Sequence, residues 1–432
     1  NNTTLNETHQ YSDSDDLKGD IVPDTRLRLD SESITNKTTD ATDNNFQEVK
    51  KQSPVTATIN FMNTTLGSGI LLLPYDLMVC GWALGLLMIT FFCVLSTWTY
   101  AILTRVCNHT SSYSFEKLCN FYFPKWVGIL AQACSMVFTI GCMISYVIVI
   151  KDSFFFFQFV NDTPEHIALY KNLCLAGVMF LIVMPLCFIP NLAQLKYNSY
   201  LVLAVVIYLI IVCAYILGSK ANNGELPEIL PLRQTTGFMK ALPLLTHAFN
   251  CQYNFMNIYR EMNQREKNVK KVVLWNSTSV IAIYFMIGLL GYFAYGDSTK
   301  SDILSNISNE SGIVAQISSI SMIVYIVCSQ PLMVFSFRKS FEALFIKQQK
   351  KWTIYLISSI ICVSVTLIGM FVPEVHTVLS FSSGLAGGTL GFILTGFLGW
   401  KHAVIQQSAK HKYEGILLVV LGIIITGFGF GR

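Results

Sequence analysis

The chain has 432 residues, 52% of them hydrophobic and only 13% charged, with a formal net charge of +4. Apolar runs of about 20 residues, the length that crosses a bilayer, recur along it, which excludes a soluble domain and makes this an all-α polytopic membrane protein. No nucleic-acid partner is expected.

Residues 1–54 precede the first apolar run. Before Lys50 they hold 11 Asp plus Glu against four Lys plus Arg, and they have too few apolar side chains to bury a core. A disordered acidic tail is predicted. Ser12 and Ser14 among Asp13, Asp15 and Asp16 make it a candidate docking segment for a cytoplasmic partner, against the plainer reading of a solvated linker. No apolar targeting segment precedes Val55, so the first span is expected to direct insertion.

Eleven spans are then predicted: 55–79, 82–106, 126–150, 170–189, 197–217, 237–257, 272–296, 312–337, 352–372, 376–400 and 414–431. The first is interrupted by Gly67, Ser68, Gly69 and Pro74. Glycine costs about 1 kcal/mol in a helix interior, and a broken helix leaves backbone groups without partners, which hydrocarbon tolerates only where they are buried in protein or line a cavity. Discontinuous helices whose free amides face an anion and whose free carbonyls face a cation are a recurrent device of secondary transporters. The bland alternative is a packing glycine pair. Asn63, Thr64, Thr65 and Ser68 around the break favour a binding site.

Between spans two and three, Phe115, Leu118, Cys119 and Tyr122 recur at helical spacing, which predicts a short helix at the membrane interface. The loops alternate in charge. Seventeen Lys and Arg fall in one set of loops (105–125, 196, 260–271, 338–351, 401–412) and six in the other. The positive-inside rule puts the first set, and the amino terminus, in the cytoplasm; an odd number of spans then leaves the carboxyl terminus extracellular or lumenal. The sequons at Asn161, Asn306 and Asn309 fall on that outer side and are glycosylation candidates. The twelve cysteines show no metal spacing, and the outer loops 218–236 and 297–311 contain none, so no disulfide is expected to link them. His247 is the one titratable side chain placed well inside a span and away from its ends. It is a candidate pH sensor, against a neutral hydrogen-bonded histidine.

The segment NTTLGSGILLLPY at 63–75, followed by Gly81, resembles the first span of the sodium-coupled neutral amino acid transporters of the amino acid/auxin permease group. FNCQYNFMNIYRE at 249–261 is similar to that family's sixth span. YSFEKLCNFYF at 113–123 and SQP at 329–331 add to the likeness, which covers residues 55 to 431. It implies a leucine-transporter type of fold: five spans (about 55–217), an inverted repeat of five (about 237–400), an extra helix (414–431), and broken helices one and six. Span six has no glycine between Gly237 and Gly288, and Pro243 is its one local breaker, so its unwinding is implied by the resemblance alone.

For a zwitterion, the amides and hydroxyl at Gly67, Ser68 and Gly69 suit the carboxylate, because glycine lets a ligand approach the backbone. Thr64 and the chain near Phe249 are candidates for the ammonium and side-chain region, with Phe249 as a lid. The resemblance gives Asn63 and Ser329 to sodium, the one coupling ion and the nearest thing to a cofactor expected here; an amide oxygen is a suitably hard ligand. Each polar residue could instead be an interhelical tie. The expected function is secondary active transport of neutral amino acids by sodium symport, in the plasma membrane ahead of a lysosomal or vacuolar one. A proton-coupled or exchanging carrier of an internal membrane, and an amino acid sensor signalling through its tail, are the alternatives. An enzyme is not expected: HExxH, GxSxG and paired intramembrane carboxylates are lacking.

Overall fold

The computed structural model describes residues 51–154, 163–189, 196–233, 237–308, 310, 313–346, 351–372 and 374–430. Residues 1–50 of the acidic tail, Asn161 and Asn309 lie outside them. Every regular element among the described residues is helical, apart from one isolated bridge between Gln52 and Met262.

Helix α1 (Pro54–Leu66) starts where the Thr56 amide donates to Ser53 Oγ at 3.2 Å and Pro54, with no amide to leave unpaired, takes the first position. It stops at Gly67, whose φ of 38° and ψ of −151° suit a residue without Cβ. A 3-10 turn over Ser68–Leu71 leads into α2 (Leu73–Cys80). Next come α3 (Trp82–Thr110), α4 (Phe115–Tyr122) and α5 (Lys125–Ser153). Helix α4 packs on α5 and buries Phe115, Leu118, Cys119 and Tyr122, the four residues whose spacing marks its apolar face. Helix α6 (Pro164–Gly177) continues through a π-helical stretch to Cys187, and α7 (Lys196–Asn223) follows.

The predicted sixth span is also divided, into α8 (Gly237–Phe249) and α9 (Gln252–Glu261). The helix runs straight through Pro243 and breaks at Asn250–Cys251 instead. The chain continues as α10 (Arg265–Tyr295), the short α11 (Ile303–Ile307), α12 (Ile313–Phe345), α13 (Lys351–Phe371), α14 (Val375–Ser382), α15 (Thr395–Ile405) and α16 (Ala409–Phe430). Between α14 and α15 the helix widens into two π-helical stretches, Ser383–Gly387 and Thr389–Leu394. Such stretches gather at functional sites.

Eight helical segments among the described residues are long and apolar enough to cross a membrane, each overlapping a predicted span and most of them running past its bounds. The halves of spans one and six, with 13, 8, 13 and 10 residues, are individually too short. Burial separates centre from rim. Inside the protein lies 72% of the apolar stretch of α5 and of α12, against 17% in the α6 segment and 39% in α7 and α13. Helices α5 and α12 pack together, α1 and α2 lie on α10, and α2 also lies on α8. Rim side chains such as Leu181, Ile211, Trp352 and Phe371 stand exposed, as a lipid-facing surface requires.

Candidate functional site

The two divided helices break side by side. A Cβ placed on Gly69 would lie 2.7 Å from Cα of Ala248, so the 3-10 turn and the end of α8 meet backbone to backbone. The Tyr284 hydroxyl of α10 lies 2.9 Å from the Thr65 carbonyl oxygen and 2.7 Å from that of Ala248, sharing its one hydrogen between the ends of α1 and α8. Tyr325 of α12 donates to the Gly67 carbonyl. Ser96 of α3 donates to the Phe249 carbonyl at 3.0 Å, with the Tyr100 hydroxyl at 3.4 Å. Hydroxyls of neighbouring helices thus replace ladder bonds that the breaks remove, the condition for non-helical backbone at membrane depth.

Asn63 and Ser329 are brought together. Ser329 Oγ donates to Asn63 Oδ1 at 3.2 Å, and Asn63 Nδ2 donates to Ser199 Oγ of α7 at 3.1 Å. All three are buried. They offer hard, neutral oxygens from α1, α7 and α12, a donor set suited to a monovalent cation. Gln330, beside Ser329, is fully buried with neither amide atom partnered among the described residues.

On the other side of the break Ser68 Oγ lies 3.0 Å from His247 Nε2 and accepts from Ser145 Oγ at 3.1 Å. His247 Nδ1 lies 2.9 Å from Ser383 Oγ, at the start of the first π-helical stretch, and its ring packs 5.4 Å from Phe138. A hydroxyl–imidazole chain therefore joins α5, the break, α8 and the end of α14. Beside it the Tyr146 hydroxyl is buried with no partner among the described residues, and a Cβ on Gly67 would stand 3.3 Å from it. Asn250, in the second break, has neither amide atom partnered and faces Gly387 and Gly391.

Two other sequence-predicted residues make contacts between helices beside the breaks. Thr64 Oγ1 donates to the Asn60 carbonyl at 2.9 Å and accepts from Asn254 Nδ2 at 3.1 Å, tying α1 to α9. The Phe249 ring lies edge-on to Tyr284, 5.1 Å away. At the glycosylation candidate Asn306, the side chain is buried, donating to the Ser298 carbonyl and accepting from the Lys300 amide, both at 2.8 Å. Sequence reasoning missed Ser199, Tyr146, Tyr284 and Tyr325, none of which carries a local signal. It also passed over Asp76, visible as an acid in an apolar run, which is buried in α2. No cluster of three His, Cys, Asp or Glu that could hold a metal occurs among the described residues.

Residues 50–431 match the family described as transmembrane amino acid transporter protein. Amino acid transporter AVT6E of Arabidopsis thaliana is 22% identical over 405 residues, spanning 86% of this chain and 81% of that protein. AVT6C of the same plant is 24% identical over 396 residues, spanning 84% and 89%. Among solved structures, MhsT in complex with L-phenylalanine aligns with a TM-score of 0.59 at 15% identity, covering 89% of this chain and 99% of that one. The outward-open state of a Na+-coupled sialic acid symporter aligns at 0.52 with 13% identity, covering 88% and 90%. These are folds of the leucine-transporter type, and the relatives are transporters, not enzymes. The match over nearly the whole chain, on a multi-pass helical body with paired broken helices, shows that the protein belongs to the transmembrane amino acid transporter family.

Proposed function

We propose that the protein is a secondary active transporter of neutral amino acids, coupled to sodium and working by alternating access. The observation that carries this is the meeting of the two breaks at Gly69 and Ala248, where backbone and hydroxyl groups stand in place of a continuous helix. The ligand carboxylate would take the amides of Gly67, Ser68 and Gly69 and the Tyr146 hydroxyl, and sodium the oxygens of Asn63, Ser329 and Ser199. The polar groups around the breaks are hydroxyls, amides and an imidazole, which favours substrates without a net side-chain charge. In this reading the two divided helices are counterparts in a five-plus-five inverted repeat. The amino terminus faces the cytoplasm, the carboxyl terminus the exterior, and the plasma membrane is the site of action.

Uptake of a panel of labelled amino acids into proteoliposomes, with a sodium gradient, a proton gradient or neither, tests the proposal. Accumulation of small neutral species under the sodium gradient is expected. Accumulation only under a proton gradient would overturn the sodium assignment, and binding without accumulation would replace the carrier by a sensor.

A further inference from the structure

Asp76 sits in α2, four residues before its end, 1% exposed, and neither carboxylate oxygen has a hydrogen-bond partner among the described residues. Helix α2 packs against α3, α8 and α10. None of the charged groups on those helices is seen paired with it. On α3, Arg105 and His109 stand in the last turns, whereas the helix adjoins α2 at its start, where Gly85 meets Leu77. On α8, Lys240 is exposed and His247 is held by Ser68 and Ser383. On α10, Arg265, Glu266, Lys267, Lys270 and Lys271 lie in the first two turns, while Pro74 of α2 meets Gly291 near the other end. The phenols of Tyr284 and Tyr292 are engaged by backbone groups. Arg233, whose amide donates to the Cys80 carbonyl, directs its guanidinium to Asp297 and the Met78 sulfur. His376, near Tyr75, pairs with Glu374.

An ionised carboxylate so placed would have neither exposure to solvent nor a counter-charge among the described residues, a costly condition for a side chain within a bilayer; the neutral acid avoids it. Helix α2 is also bounded by glycine at both ends. Its eight residues lie between the Gly67 turn and Gly81, whose φ of 85° only glycine adopts without strain.

We propose that Asp76 is a proton-binding site, filled in this closed arrangement and emptied into water when α2 swings away from α8. The inference rests on the chain being a carrier and adds a second ion to it, bound apart from the Asn63–Ser329 oxygens. The proton enters from water on the side to which α2 opens and returns to water when the carboxylate is hydrated again. External acid therefore favours closure.

The test uses the full-length protein in nanodiscs and compares infrared spectra of wild type and Asp76→Asn while pH is raised. The wild type is expected to show, at neutral pH, the carbonyl stretch of a protonated carboxylic acid that the isosteric variant lacks. Absence of that difference band would overturn the proposal whether or not transport occurs. In nanodiscs in weakly buffered medium with a pH dye, closure on adding sodium and amino acid should take up a proton in the wild type and not in Asp76→Asn, and accumulation by the wild type is measured separately in proteoliposomes. Equal proton movement in both would also overturn it. Failure of the wild type to accumulate any amino acid would instead refute the carrier reading and leave the infrared result to decide Asp76. Should Asp76→Asn misfold, Asp76→Leu serves the same comparison.

Discussion

Replacing Tyr284 by Phe removes one oxygen atom from the centre of the protein and leaves the ring where it is. The ring's edge contact with Phe249, at 5.1 Å, survives, so the loss is confined to the hydroxyl that the Thr65 and Ala248 carbonyls share at 2.9 and 2.7 Å. Tyr284 is fully buried, and water does not take its place in a close-packed interior. Leaving a buried acceptor unpaired costs about 1–3 kcal/mol. Because one hydrogen serves two acceptors, the expected loss for the pair is about 2 kcal/mol, nearer one full hydrogen bond than two. In a chain of this size that lowers the apparent melting temperature by a few degrees at most, roughly 2 °C per kcal/mol, in a fluorescence melt of the purified protein. Uptake should fall much further than stability, because the two carbonyls fix the register of the breaks against each other. A Tyr284→Phe protein with wild-type melting and wild-type uptake would show that the phenol does not hold the breaks together.

The other predictions address the ion, the proton and the topology. Asn63→Ala removes the oxygen facing Ser329 and the donor to Ser199, and should raise the sodium concentration for half-maximal uptake by about tenfold, the size of one lost charge-assisted contact; unchanged sodium dependence would remove Asn63 from the ion site. His247→Phe keeps a ring against Phe138 but strips Ser68 and Ser383 of their partner, so it should retain transport at reduced rate and lose the part of the pH dependence that protonation of the imidazole contributes; an identical pH profile leaves His247 only a packing role. Burial holds the Asp302 carboxyl up at about 7, against the Leu304 amide bond that lowers it and with Asp152 adding to the rise. The unfolded carboxyl titrates near 4, so the folded state binds the extra proton between those values and stability falls as pH rises from about 4 to 7, by about 4 kcal/mol in all. Asp302→Asn keeps the cap on Leu304 and should gain melting temperature over wild type increasingly across that window; a pH-independent difference refutes the assignment. A tag after Arg432 and one in the 297–311 loop should be reached from the same side of the membrane, and one in 260–271 only from the other.

How far the molecule could be read from its sequence depended on the range of the forces. The first break was legible because Gly67 and Gly69 write it locally, in positive φ and close backbone approach. The second was not. Asn250–Cys251 contains no helix breaker, and what holds it open comes from Ser96 and Tyr100 of α3, about 150 residues earlier, and Tyr284 of α10. Pro243, the local breaker, is accommodated within an unbroken helix. The pairing of Asn63 with Ser329 followed from resemblance, whereas Ser199, 136 residues from Asn63, had no signal beyond being one serine among many. Helix α4 was legible to the residue, since its apolar face is a purely local period. The π-helical stretches at 383–394 fell inside a span that reads as ordinary, because widening a helix by one residue per turn leaves its composition unchanged.

The two ends of the broken pair are fastened differently, and this bears on which can open. Where α1 meets α9 the ties are polar: Gln52 Nε2 to Glu261 at 2.7 Å, Asn60 Nδ2 to Gln52 at 2.8 Å, and Asn254 Nδ2 to Thr64 at 3.1 Å. Each can be exchanged for a bond to water at a net cost of about 1 kcal/mol. Where the 3-10 turn and α2 meet α8 the contact is a close backbone approach, Gly69 against Ala248 and Gly237 against the Val79 carbonyl. Opening there exposes apolar surface and the Asp76 carboxyl, which ionises at neutral pH once it is hydrated. One end therefore yields to hydration alone, and the other to hydration coupled to loss of a proton. That asymmetry would allow the site to face one side at a time under the control of its ligands.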